Sequence, residues 1–211
     1  MSAHAGVFLL LLPLLAVQLY QKLENEYQIN ETPISKKPFP AWTVAGLTAL
    51  LVLPLLLFGR SLWEMTVMSF IFLNLSLVFF IDLRYHLIPN RLVLSLAILS
   101  LLLRLIDTEP DVWYTPLTGL VAGAGSLVLF ALLSRGGIGL GDIKFAAAAG
   151  LLFNHQQAFS FLLLACALAF PAAAFLVMTG KKRAGDSIAF GPYLTLSGWL
   201  VCLLEFLMPR M

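Results

Sequence analysis

The sequence predicts an all-α polytopic membrane protein of about eight transmembrane helices, the sixth short and glycine-broken. Three observations carry this expectation. Of the 211 residues, 60% are hydrophobic and only 11% charged, whereas about a quarter of a soluble domain is charged. The apolar residues gather into long runs, several approaching the roughly 20 residues that a helix needs to cross a bilayer. When the runs are laid as alternating spans, the basic residues collect on one side.

The runs fall at roughly 5–20, 41–58, 62–82, 91–106, 113–134, 137–153, 157–178 and 188–208. Ahead of the first, Ser2 to Gly6 holds no Lys or Arg, and no small-x-small site follows Tyr20. It therefore reads as a retained helix rather than a cleaved signal peptide. The polar stretch Gln21 to Pro40 reads as the only long loop, too short for a globular domain of its own. With the second run it makes an N-terminal helix pair over 1–58, and the other six runs occupy 62–208 of a single membrane-embedded unit, 1–211. The third run closes on "MSFIFLNLSLVFFID" and the sixth contains "GIGLGDIKFAAAAG". Cys166 and Cys202 both fall inside apolar runs and form no CxxC. They read as small core residues, with no metal site and no disulfide framework.

Alternation places Lys22, Lys36, Lys37, Arg84, Arg91, Arg135, Lys144, Lys181, Lys182 and Arg183 on one side, against Arg60, Arg104 and Arg210 on the other. The positive-inside rule puts the first set in the cytoplasm and both termini outside. The acidic segment Asp107 to Asp111 then faces outward.

Of the eleven acidic residues, nine have an undemanding place. Glu24, Glu26 and Glu31 fall in the long loop, Asp107, Glu109 and Asp111 in an outer loop, and Asp186 in a basic inner loop; Glu64 and Glu205 lie near outer span ends. Asp82 and Asp142 remain, each embedded at the inner end of an apolar run and at the same expected depth. An ionised carboxylate near hydrocarbon is costly, so it needs a structural reason or a task. Two such groups in proximity can hold one proton between them, which is the arrangement of an acid–base pair acting on water. The alternative is that each Asp caps a helix or pairs with Arg84 or Lys144. Gly139 and Gly141, directly before Asp142, permit unusual backbone angles and the close approach of another chain, as an extended peptide would require. Close helix packing would use them equally well.

"IDLRYHLIPN", followed some 50 residues later by "GLGDIKFAAAAG", resembles the prepilin peptidases, the type IV leader peptidases of the GxGD intramembrane aspartyl protease class. The matching positions are Asp82, Ile88, Pro89 and Asn90, then Gly139, Gly141, Asp142, Lys144 and Gly150. Phe190, Gly191 and Pro192 in "IAFGPYL" resemble the family's Phe-Gly-Pro at the start of the last helix. The resemblance implies a bacterial inner-membrane endopeptidase that removes a short basic leader from type IV prepilins or pilin-like secretion proteins. It implies Asp82 and Asp142 as the catalytic acids, facing the cytoplasm. Gly139, Gly141, Lys144, Pro89, Asn90, Phe190, Gly191 and Pro192 would then bind substrate or shape the site. Larger members carry a cytoplasmic segment of paired CxxC motifs that binds zinc and is linked to N-methylation. Gln21 to Pro40 contains no cysteine, so the chain resembles a short, peptidase-only form with neither metal nor cofactor.

The expected partners are a prepilin or pseudopilin substrate and membrane lipid, with no nucleic acid. Anionic headgroups, rather than Lys181, Lys182 and Arg183, are expected to hold the leader's charges. A proton- or cation-relaying transporter or channel, or an inactive pilus-assembly factor, stands as the rival reading. Against transport, the chain shows no internal repeat, and both acids lie on one side.

Overall fold

The computed structural model describes the chain except residues 1–2, 31–37, 58–60, 105–113, 134–137, 182, 184–187 and 208–211. Among the described residues there are eight helices and no strand. They are α1 (Ala3–Asn30), α2 (Ala41–Leu57), α3 (Leu62–Tyr85), α4 (Asn90–Arg104), α5 (Tyr114–Leu133), α6 (Leu140–Gly150), α7 (His155–Met178) and α8 (Gly191–Leu207). The all-α, multi-pass architecture is the expected one. Among the described residues three helices, α3, α5 and α7, are individually long and apolar enough to cross a membrane; α2, α4, α6 and α8 are shorter.

Burial separates the long helices by role. The most apolar stretch of α3 is 72% buried, against 22% for α5 and 17% for α7. Thus α3 is the central post, packed by α1, α2, α4 and α8, while α5 and α7 turn large side chains such as Leu117, Leu132, Phe170 and Met178 outward. Polar residues inside so apolar a core must be hydrogen-bonded, and those of α3 tie it to its neighbours. Ser76 and Thr48 of α2 meet at 2.9 Å, and the Asn74 amide donates to the Leu92 carbonyl and to Ser95 of α4. The Trp199 indole of α8 likewise donates to the Leu51 carbonyl of α2, at 3.0 Å.

The first helix departs from expectation. Gln21 to Asn30 continue α1 instead of opening a loop, and of the expected loop only Pro38 onward is otherwise described, with 31–37 outside the described residues. The reason is tertiary. Tyr20 and Glu24 are buried, and Leu23 packs against the core, so the polar-looking segment has an inward face that only α3 makes visible.

The sixth helix is short, as expected, at 11 residues or roughly 16 Å, about half of a bilayer's hydrocarbon thickness. Gly139 caps it and Gly150 ends it, so most of its glycines bound the helix rather than break it. Its last carbonyls end among buried residues, where unsatisfied polar groups are expensive. Helix α4 supplies donors one turn apart: Ser100 to the Ala148 carbonyl and, just past the end of α6, Arg104 to the Leu152 carbonyl. On its other side α5 comes to backbone contact through Gly119 and Gly123, set against Ala146 and Gly150, the close approach that small residues allow between membrane helices.

A Cβ at position 119 would collide with the carbonyl oxygens of Gly150 and Phe153, whereas one at Gly125 meets nothing within 4 Å. Gly119→Ala should therefore lower the thermal unfolding midpoint in detergent, at a cost of about 1–3 kcal/mol. Gly125→Ala should leave the midpoint unchanged or slightly raised.

Candidate active site

Asp82 sits in the last turn of α3 and is 4% exposed. The helix ends three residues on, at Tyr85: His86 takes the left-handed conformation at φ 52°, and its N–H bonds the Asp82 carbonyl at 2.9 Å. A non-glycine residue seldom adopts that conformation, and here it turns the chain through Leu87, Ile88 and Pro89 into α4.

Each acid is seated at a helix start, Asp82 at that of α8 and Asp142 at that of its own helix. The Asp82 carboxylate accepts the N–H of Gly191, the first residue of α8, at 3.0 Å. Asp142 lies in the first turn of α6 and folds back to accept the Gly139 N–H, half of a capping box. Free N–H groups and the helix dipole make both helix starts favourable places for negative charge. The two carboxylates are close enough to interact electrostatically across the gap between α3 and α6.

The alternative salt-bridge partners are engaged elsewhere. Arg84 pairs with Glu24 of α1, and the Lys144 ammonium donates to the Asn90 side chain at 3.2 Å. The helix-capping alternative is present in part, since both acids take backbone N–H groups. Capping alone does not explain why two carboxylates from different helices come together.

The other expected site residues gather at the same end. Pro89 is buried and its carbonyl accepts the N–H groups of Leu92 and Val93, opening α4. Phe190 does the same for Tyr193 and Leu194 in α8. Pro192 takes the second position of that helix, where its missing N–H leaves no ladder bond unmade. Gly191 has a specific reason to be glycine, because a Cβ there would stand 2.6 Å from the Asp82 carboxylate oxygen.

The expectation of unusual backbone angles at Gly139 and Gly141 is not met. The positive-φ residues among those described are His86 and Gly180, and Gly139 is extended. Closeness is the operative reason at Gly139, where a Cβ would come within 3.2 Å of the Asp142 carboxylate. At Gly141 a Cβ would only touch Ile88 at an ordinary 3.4 Å. Among the described residues no group of three or more His, Cys, Asp or Glu gathers as a metal would require, and Cys166 and Cys202 lie on α7 and α8.

Sequence reasoning missed Glu24 and Arg84 as partners. The signal was there, in the three- and four-residue spacing of Tyr20, Leu23, Glu24 and Tyr27, which continues the α1 face past its polar residues.

Fold and site together define a multi-pass helical membrane protein with two carboxylates brought together at one end of its bundle. The model of the type IV leader peptidase family matches residues 68–174, half of the chain, including both acids but neither α1 nor α8. The chain belongs to that family. It is 36% identical over 138 residues to the prepilin leader peptidase/N-methyltransferase of Bacillus subtilis (strain 168), covering 64% of this chain and 54% of the relative. To the protein of the same name from Stutzerimonas stutzeri it is 29% identical over 150 residues, 69% and 52% of the two chains. To leader peptidase HopD of Escherichia coli it is 31% identical over 133 residues, 59% of this chain and 84% of that one. The matched region spans about half the length of the first two relatives. No solved structure matches the chain.

The contact between Asp82 and Gly191 makes a stability prediction. An Asn side chain retains an oxygen that can accept the Gly191 N–H, so Asp82→Asn should unfold within a few degrees of the wild type. Asp82→Ala removes the acceptor at a helix start and should cost about 1–2 kcal/mol. Thermal unfolding of the three proteins in one detergent checks the order.

Proposed function

We propose that this chain is a membrane aspartic endopeptidase that removes the short basic leader from type IV prepilins or pilin-like secretion proteins. The observation that carries this reading is the convergence of Asp82 and Asp142 from separate helices within a member of the leader peptidase family. One carboxylate, ionised, takes a proton from a water held between the two. The other, protonated, hydrogen-bonds the scissile carbonyl and makes it electrophilic. Water oxygen adds to the carbonyl carbon, the C–N bond breaks, and the acquired proton passes to the leaving amine.

The surroundings fit an extended substrate. Gly139 is exposed beside Asp142, leaving room for a peptide backbone at the acids. Outward-facing apolar residues on α5 and α7 contact lipid, and the apolar stem of a prepilin would enter from that medium toward α3. Anionic headgroups, more than Lys181, Lys182 and Arg183, hold the leader's positive charges; Lys182 lies outside the described residues. The basic excess at the end bearing the acids supports a cytoplasmic site in the bacterial inner membrane, with both termini outside. Methyl transfer forms no part of this reading.

Purified protein incubated with a prepilin in detergent should release a leader-sized fragment. Asp82→Asn and Asp142→Asn should each reduce cleavage by about 10²–10⁴-fold while the protein stays folded. Asp111→Asn and Asp186→Asn, at positions outside the described residues, should change it little. Near-wild-type cleavage by either Asp82→Asn or Asp142→Asn would sink the dyad assignment.

The orientation is checked separately, after Cys166 and Cys202 are replaced. A cysteine introduced at Lys181 should resist a membrane-impermeant thiol reagent added to intact cells, and one at Trp63, at the opposite end of the bundle, should react. Labelling at 181 from outside would overturn the cytoplasmic site.

A further inference from the structure

Beside the acid pair lies a second set of charges that the proposed chemistry does not use. Glu24 of α1 and Arg84 of α3 form an ion pair, with Glu24 only 5% and Arg84 4% exposed. Taking two charges out of water costs several kcal/mol per ion (order of magnitude), so their pairing demands close geometry. Aromatic side chains enclose the pair. Tyr85 donates to Glu24 at 3.2 Å, the Tyr20 hydroxyl is hydrogen-bonded to both Glu24 and Arg84, and the Arg84 guanidinium lies 5.2 Å from the Tyr85 ring centre. The Tyr27 ring packs on Tyr85 with centres 5.7 Å apart. Nearby on α1, Glu26 pairs with Arg91 at 2.8 Å.

These contacts straddle one short segment. Arg84 and Tyr85 precede the turn of residues 86–89 and Arg91 follows it, so the continuation of α1 touches the turn at both ends and holds it through the buried pair at Arg84. From the same segment, Ile88 packs beside Gly141 and Asn90 receives Lys144 of α6. The turn is thus the direct link between the end of α3, which bears Asp82, and the start of α6, which bears Asp142. Asp82 and Arg84 stand roughly 200° apart around α3, so the helix end is held by α1 on one face and by α8 on the other.

We propose that Glu24 and Arg84 are positioning residues: the α1 continuation braces the α3–α4 turn, and this brace sets the separation of Asp82 and Asp142. The inference rests on the reading of those acids as the catalytic pair. The Glu26–Arg91 pair, with side chains 39% and 76% exposed, adds little, because solvent screens it.

The test uses full-length protein in detergent with a prepilin substrate. Glu24→Gln and Arg84→Gln each strand a buried charge and can impair folding, so the decisive variant is the double Glu24→Gln/Arg84→Gln. Replacing both members of a buried pair is often tolerated. The double variant should lose about 10–100-fold in kcat, the order expected from displacing a catalytic group by an ångström or less. Its KM should stay within about twofold of wild type. Amide hydrogen exchange at residues 86–90, read at His86, Leu87, Ile88 and Asn90, should quicken in the same variant. The control is Leu12→Ala, which empties a fully packed position elsewhere on α1: it should lower the unfolding midpoint yet keep kcat and the exchange rate at 86–90. A folded double variant with wild-type kcat and wild-type exchange at 86–90 overturns the brace. If the wild-type protein cleaves no prepilin, the proposed function falls instead, and exchange at 86–90 alone decides the brace.

Discussion

Two carboxylates cannot be left bare inside an apolar bundle, and most of the architecture at one end of this protein answers that constraint. Helix α8 begins against Asp82, offering the Gly191 N–H, and α6 begins at Asp142, offering that of Gly139. A helix start is the one backbone feature that supplies free donors and a favourable dipole without adding a counter-charge. A cation in the same place would neutralise the acids by pairing with them. The nearby cations are drawn off instead, Arg84 to Glu24 and Lys144 to Asn90.

Seating an acid in this way restricts the helices that do it. Helix α8 can approach α3 so closely only because residue 191 has no Cβ. Helix α6 starts at the acids and stops after 11 residues, so its far end requires outside donors. Ser100 and Arg104 provide them from α4, and the glycines of α5 close the other side. The stubby sixth helix is therefore held by α4 at its far end and by α5 along its side.

How far the sequence could be read depended on the range of the interaction involved. Long apolar runs are a local property, and the run expected at 157–178 appears as α7, His155–Met178. Asp82 and Asp142 were also legible, because a carboxylate at the end of such a run is conspicuous by itself. The reach of α1 was not. Composition made Gln21 to Asn30 look like a solvated loop, while their inward face is defined by Arg84 and Tyr85, some 60 positions away. The glycines before Asp142 were expected to bend the backbone, yet Gly139 has an ordinary extended conformation. A Cβ there would stand 3.2 Å from the carboxylate folded over it, a tight contact that a shift of the Asp142 side chain would have to relieve.

The sequence by itself determined an all-helical membrane chain, the order of its spans and the two acids worth examining, because hydropathy and charge act residue by residue. Only the tertiary structure decided where the helices begin against those acids and which cation answers which anion. It also decided why position 191 must be glycine. Each of these depends on an atom from a distant segment coming within a few ångströms, and no local pattern in the chain records that distance.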